Sequence, residues 1–391
     1  MAVFDLIIVG GGLAGASLAV ALRDSRLRIA LVEYQPPRRV GGENAGWDAR
    51  VYALSPANVE FLRTIGVWKH LAAERIAPLR AMQIFGDQGS TLNFSAFETA
   101  VPDLGCILES SLMACELWES LKRQSNVQLF LGQKPVAQRI DADTASLHLA
   151  DGSILAARLL VGADGRDSWV RETAGLPAHN RPYGEKGVVA NFACAEPHHN
   201  TAWQWFRADG VLAWLPLAGQ NISMVWSAPD ALAEELLQLS PQALAARVAA
   251  AGGHRLGELQ CITPAQAFPL RLMRVPRTVA PRLALVGDAA HGIHPLSGHG
   301  INLGFQDARE LAERLLAAPA WQDIGELRFL SAYQRARREE TVLMQSTTDT
   351  LRRLFASPSP LLKNLRNLGL GLTERLPVAK TVLVRYALGA L

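Results

Sequence analysis

The chain has little cysteine and little charge for its length, and each shortage excludes something. Only four cysteines occur in 391 residues, at Cys106, Cys115, Cys194 and Cys261, with no Cys-x-x-Cys pair. Spaced so widely they offer neither a zinc site nor a disulfide framework, and they read as reduced core thiols. Charged residues make up 19% against 49% hydrophobic, which is far from the composition of a disordered chain and gives ample material for a core. There is no internal repeat and no low-complexity tract. His291, His294 and His299 are close in sequence but lack the His-Glu-x-x-His spacing, so no metal is expected. No Gly-x-Ser-x-Gly elbow occurs, which removes the nucleophile that an α/β-hydrolase reading would need.

Export and membrane-spanning signals are missing too. Leu6 to Leu22 carries no charge, yet Asp5 stands where a signal peptide has basic residues, and the four glycines of the run suit a turn better than a bilayer helix. A cytoplasmic location is the expectation. The net charge of +3 is unevenly spread: from Leu351 onward seven basic residues face the single acid Glu374. Leu361, Leu365, Leu368 and Leu372 recur among them at helical spacing. Such an amphipathic segment either lies on an anionic membrane surface or packs on the body with its charges in water. No aromatic residues interleave with the basic ones as stacking platforms, so nucleic acid is not an expected partner.

Phe4 to Val9 is a short apolar run, an alanine- and leucine-rich stretch continues to Leu22, and Ile29 to Val32 is a second apolar run. Strand, helix, strand in this order implies a parallel sheet. Leu159 to Val161 and Leu283 to Val286 read as two further buried strands, and all four deliver a turn at their carboxyl ends, where open α/β sheets bind ligands. Loops far apart in sequence are therefore expected to share one site. Between them the pattern changes. Trp203 to Phe206, Val211 to Leu215 and Ile222 to Trp226 are separated by Ala208-Asp209-Gly210 and Ala218-Gly219-Gln220-Asn221, which are hairpin signals. An antiparallel sheet follows, with a strand-like contribution from Met82 to Phe94. Leu303, Leu311, Leu315 and Leu316 mark a helix after Asn302.

The reading is thus an α/β fold: a Rossmann-like nucleotide-binding domain, an inserted antiparallel-sheet substrate domain and a C-terminal helical segment. The nucleotide-binding domain is expected over 1–80, 99–177 and 266–345, the substrate domain over 81–98 and 178–265, and the amphipathic helical region over 346–391. A pocket walled by the sheet bearing Trp203, Trp205, Trp214 and Trp226 would be apolar, although only one face of such a sheet can line it.

Gly10-Gly11-Gly12-Leu13-Ala14-Gly15 fits G-x-G-x-x-G directly after a strand and at the start of a helix, with the acid Glu33 at the end of the second strand. Gly10 allows the tight turn, Gly12 lets a pyrophosphate approach the backbone and Gly15 lets the helix pack closely. The helix amino terminus, through Leu13 and Ala14, favours the phosphate charge, and Glu33 is placed to accept from ribose hydroxyls. This fingerprint alone does not separate NAD from FAD.

Two further motifs do. Gly162-Ala163-Asp164-Gly165-Arg166-Asp167-Ser168-Trp169-Val170-Arg171 resembles the second signature of the flavin-dependent aromatic hydroxylases. Leu285-Val286-Gly287-Asp288-Ala289-Ala290-His291 resembles their third, continuing through Pro295, Gly298, Gly300, Ile301, Asn302 and Asp307. Asp48-Ala49-Arg50-Val51-Tyr52-Ala53-Leu54-Ser55 and the terminal Arg385-Tyr386-Ala387-Leu388-Gly389 are similar to segments of the ubiquinone-biosynthesis hydroxylases in particular. The resemblance implies FAD as cofactor and a p-hydroxybenzoate hydroxylase-like fold. It makes Asp164, Gly165, Gly287 and Asp288 cofactor-binding residues, with Asp288 at a strand end holding ribityl hydroxyls, and puts Arg50 near the flavin's ribityl or phosphate region. Pro295, Gly298 and Gly300 would lie along the ring, and the helix from Gly300 through Ile301 and Asn302 would point its free amides at the pyrimidine edge. Where the family pattern has Gln between two glycines this chain has His299.

The activity so implied is a monooxygenase in which reduced flavin and O2 give a C4a-hydroperoxide that hydroxylates the ring of a polyprenylated phenol in ubiquinone biosynthesis, with NAD(P)H or another electron donor. A membrane surface and other ubiquinone-biosynthesis proteins are possible partners. No side chain in the motifs is required as a nucleophile or base, so none is nominated as catalytic. Two other readings share part of the pattern. One is a flavoenzyme of the same fold acting on a soluble aromatic acid or a prenyl chain. The other is a non-enzymatic dinucleotide-sensing subunit, which would have no need of Asp164-Gly165 or Gly287-Asp288.

Overall fold

The structure, a computed structural model, describes residues 2–37, 46–98, 100–293 and 300–356. Pro295, Gly298 and the histidines at 294 and 299 lie outside the described residues, as does the basic segment after 356.

The apolar runs become strands where their residues are buried on both faces. Ala2–Val9, Ile29–Glu33 and Val127–Leu131 run parallel on one side of the first sheet, and Ile154–Gly162 and Leu283–Leu285 continue it on the other. The chain turns one way from Ala2–Val9 to Ile29–Glu33 and the other way to Ile154–Gly162, each pairing in parallel with the first strand. A crevice opens between such strands at their carboxyl ends, the usual ligand position of open α/β sheets. Helices Leu13–Ala21 and Gly300–Ala317 cover one face, burying Leu18, Val20, Phe305 and Leu311 against Leu6 and Ile8.

The second sheet is largely antiparallel. Its order is His291–Gly292, Gln266–Arg274, His179–Cys194, Asn221–Pro229, Gly210–Leu217, Thr201–Arg207, Ala81–Phe85 and Thr91–Ser95. The hairpins expected between 201 and 229 form, and Ala81–Phe85 joins through a parallel pairing with Thr201–Arg207. Pairing does not stop at 265: Gln266–Arg274 lies antiparallel to the long strand His179–Cys194 and itself pairs with His291–Gly292. Helices Asp230–Gln238 and Pro241–Ala251 pack on one face of this sheet. A three-stranded sheet of Val51–Leu54, Gly105–Glu109 and Ala77–Leu79 had no counterpart in the sequence reading, and it bridges the two larger sheets at the crevice. The helix Leu327–Ala356 packs against Gly300–Ala317 through Leu330 and Tyr333 and reaches the second sheet through Gln345 and Arg352.

Candidate functional site

Two loops meet at the crevice, and glycine makes the meeting possible. Gly10 adopts φ +103°, and a Cβ there would stand 2.3 Å from the Ala163 carbonyl oxygen. A Cβ on Gly15 would stand 2.0 Å from the carbonyl oxygen of Gly10, so this residue lets the helix start press against the loop. Gly12 differs: a Cβ there meets nothing within 4 Å, and the residue caps the amino end of Leu13–Ala21 with no side chain of its own. The open space lies over helix amides, as a phosphate group requires. Gly11 was not singled out from sequence, yet its carbonyl accepts the Trp118 indole N–H at 2.8 Å, and a Cβ there would collide with that indole.

Around this point is a cavity of about 640 Å³. Gly12, Leu13 and Ala14 line it from the first loop, Gly165 from the second, Gly287 and Asp288 from the third, and Gly300 and Ile301 from the helix start. Asp288 stands at the end of Leu283–Leu285 with its carboxylate open to the cavity, 3.6 Å from the Arg166 guanidinium. Arg50 also lines it, its guanidinium 5.4 Å from the Tyr52 ring and 5.5 Å from that of Phe268. Tyr52 itself is half-buried. Burial raises its phenol, and Asp288 pushes the same way while Arg50 and Ser110 oppose, so at neutral pH it is an uncharged O–H in the cavity wall.

The other half of the cavity is one face of the second sheet, and the tryptophans belong to the other. Trp203, Trp214 and Trp226 point away from the cavity into a core with Ala233, Leu236, Leu244 and Val248, and Trp205 packs against that cluster. Side chains alternate along a strand, so the residues between them face the site: Ala202 and Gln204, Val211 and Ala213, Val225 and Ser227. The large indoles belong with the two helices, and the small aliphatic residues leave room.

Three residues expected against the cofactor do not line the cavity. Asp164 turns its carboxylate toward the short helix Trp169–Thr173, accepting from the Ser168 hydroxyl and, at 3.0 Å, from the Val170 amide. It holds the loop that presents Gly165. Asn302 is spent on the chain itself: its Oδ1 accepts from the Ser55 amide at 2.9 Å and the Asn58 side chain at 2.8 Å, and its Nδ2 donates to the Ala53 carbonyl at 2.7 Å. It ties the helix start to the segment carrying Arg50 and Tyr52. Glu33 accepts from the amides of Gly11 at 2.6 Å and Gln35 at 2.8 Å, and each oxygen keeps a lone pair for a further donor.

Behind Asp288 lies a buried ionic network. Asp307 accepts from His291 Nε2 at 2.6 Å, from the Gly287 amide at 2.9 Å and from Arg337 Nε at 2.8 Å. Arg337 continues to Glu340 at 2.6 Å. Burial alone would neutralise both members of the first pair. Instead Asp307 holds the His291 imidazole above its ordinary value, and His291 and Arg337 hold the Asp307 carboxyl below the usual carboxylate range. Because Asp307 grips the Gly287 amide, the network fixes the loop that offers Asp288. Its histidine and aspartate were visible in the third motif; Arg337 carried no sequence signal.

Fold and site together define a dinucleotide-binding α/β flavoprotein with an apolar chamber beside the flavin position. Residues 4–346 match the FAD binding domain family. The chain is 34% identical to the 3-demethoxyubiquinol 3-hydroxylase of Escherichia coli, covering 98% of both chains. It is 35% identical to the ubiquinone hydroxylase UbiL of Rhodospirillum rubrum, covering all of this chain and 90% of that one. Among solved structures, Pseudomonas aeruginosa PqsL in complex with 2-aminobenzoylacetate superposes with a TM-score of 0.76 at 23% identity, covering 94% of this chain and 99% of PqsL, a likeness of fold. The chain belongs to the FAD-binding domain family and, within it, to the flavin-dependent hydroxylases of ubiquinone biosynthesis. The cofactor is FAD.

Proposed function

We propose that this protein hydroxylates the aromatic ring of a prenylated phenol, using FAD, O2 and electrons from NAD(P)H or another reductant. The observation that carries the reading is the cavity itself, which joins three phosphate- and ribityl-type loops to an apolar sheet face without a break. Bound FAD supplies the redox chemistry, passing electrons to O2 so that one oxygen atom enters the ring. The protein's part is placement. Leu13 and Ala14 offer helix amides to the pyrophosphate, Glu33 the ribose, Asp288 the ribityl hydroxyls, and Gly300 and Ile301 the flavin edge, with Gly165 and Gly287 leaving room. Arg50, permanently charged and bracketed by two rings, stands where the cavity passes from its polar to its apolar half. Val189, Ala213 and Val225 exclude water from the ring. Pro295 and Gly298 keep the cofactor role proposed from their motif.

In this reading the FAD unit comprises the parallel sheet with its helices, and the substrate unit comprises 81–98 and 178–265 extended through the paired strand Gln266–Arg274. The basic segment after 356 is the proposed contact with the membrane that holds so apolar a substrate. Among the described residues no helix is long and apolar enough to cross one. The test is direct: supply purified protein with FAD, reductant, a prenylated phenol and 18O2, and follow the product by mass spectrometry. One labelled oxygen in the ring is the expected result. Reductant consumption with peroxide only, combined with hydroxylation of a soluble aromatic acid, would move the assignment to the other flavoenzyme reading.

A further inference from the structure

The sheet face beside the flavin position is apolar except at two places, Gln204 and Ser227. Gln204 is 5% exposed and lines the cavity. Its neighbours across the ladders are Ala213 on one side and Ile84 on the other. Among the described residues no group hydrogen-bonds its carboxamide. On the opposite face the Trp203 indole N–H reaches Gln83 Oε1 at 3.1 Å, while the indole N–H groups of Trp214 and Trp226 have no partner among the described residues. Ser227, the second polar side chain of the face, lies two strands away beside Val211.

The carboxamide opens into the cavity, so it bonds whatever fills that space, and a ligand there takes the place of water as its partner. A carboxamide presents donors and acceptor lone pairs in one plane and carries no charge, so it can both donate to and accept from a hydroxyl and can donate to an ether oxygen. The neighbouring Val211, Ala213 and Val225 give an aromatic ring a flat apolar slot but nothing to stop it turning in its own plane. One hydrogen bond at the slot's edge removes that freedom. Resting on the reading that a phenol ring occupies this chamber, we propose that Gln204 determines specificity: it hydrogen-bonds an oxygen substituent of the substrate ring and so sets which carbon faces the flavin.

The test compares the wild-type holoenzyme with Gln204→Leu and the nearly isosteric Gln204→Met. Three probes share one prenyl chain: prenylbenzene, 2-prenylphenol and 2-methoxy-6-prenylphenol. Binding is followed by the change in flavin absorbance, and the position of hydroxylation by product analysis. In the wild type, one of the two oxygen-adding steps tightens binding about tenfold or more. In both variants that step shrinks to less than about twofold while prenylbenzene binds as well as before, FAD content is unchanged, and the phenols give mixed ring positions. If both variants keep every step and a single product, Gln204 does not read the ring and the assignment fails while the substrate reading stands. If the wild type binds none of the three probes, the substrate reading itself fails, and the assignment with it.

Discussion

Gly12 and Gly15 are three residues apart in one motif, and the structure gives them different duties that a single methyl group separates. Gly12→Ala adds a Cβ into open space, so the apoprotein should unfold at nearly the wild-type denaturant concentration while FAD affinity falls by roughly tenfold or more, because the methyl stands where the pyrophosphate must approach the helix amides. Gly15→Ala drives a Cβ to 2.0 Å from the Gly10 carbonyl oxygen, and should cost roughly 1–3 kcal/mol of stability whether FAD is present or not. Urea unfolding of the apoproteins beside flavin-fluorescence titration checks both. Equal loss of stability in the two variants would mean that Gly12 is also a packing glycine. Such positions are legible in sequence because backbone geometry allows so few residues there. Asp164 and Asn302 show the limit: their motifs were recognised, but a polar residue that supports a loop and one that touches a ligand look the same in sequence. Trp118, which seals the glycine loop from 107 residues away, left no trace at all.

At the scale of elements, the alternation that revealed the antiparallel sheet named two faces without naming the inner one. The tryptophans went to the helix-covered face because Asp230–Gln238 and Pro241–Ala251 supply apolar partners there, and only pairing in space decides that. The same holds for the contact between helices Gly300–Ala317 and Leu327–Ala356, where Arg337 bonds Asp307 and no spacing rule links the two positions. This contact has a pH signature. His291 is raised above its ordinary 6.5, so its stabilising effect is complete below about that pH and is lost as pH rises through the folded value. Asp307 is lowered from 3.8, so its effect is present above that pH and is lost as pH falls through the folded value. Unfolding free energy should therefore decline on both limbs. Arg337→Ala removes one of the two cationic partners of the buried Asp307 carboxylate and should cost roughly 1–3 kcal/mol. Asp307→Asn should cost a similar amount and abolish the alkaline limb that His291 contributes, because the imidazole loses the partner that raised it. Urea unfolding across about pH 2 to 9 follows both limbs in all three proteins, and an alkaline limb that survives in Asp307→Asn would show that His291 does not draw its charge from that carboxylate.

Across the whole molecule, the sequence revealed four strands of the parallel sheet, the hairpins of the antiparallel one and the sharing of one site by distant loops, but not the strands Val127–Leu131, His179–Cys194 and Gln266–Arg274. It did not reveal the small sheet of Val51–Leu54, Ala77–Leu79 and Gly105–Glu109, whose short strands pair across long gaps and have no hairpin signal between them. That sheet brings Val51, Tyr52 and Leu79 to the cavity, so part of the chamber wall was beyond local pattern reading. The charge distribution is a whole-molecule property that does read directly, with seven basic residues against one acid from Leu351 onward on a body that is otherwise mildly acidic. Each basic side chain near an anionic lipid surface contributes about 1 kcal/mol, and that attraction is screened by salt. The full chain should therefore sediment with vesicles containing about a third anionic lipid at low salt, stay in solution with purely zwitterionic vesicles, and be released at roughly 0.5 M salt. A chain ending at Ala356, checked for retained FAD, should remain in the supernatant throughout. If it sediments as the full chain does, the attachment resides on the body, and the acidic balance left there makes an apolar contact its remaining source. Release by salt separates the two cases in one experiment, since an electrostatic tail lets go as ionic strength rises and an apolar contact does not.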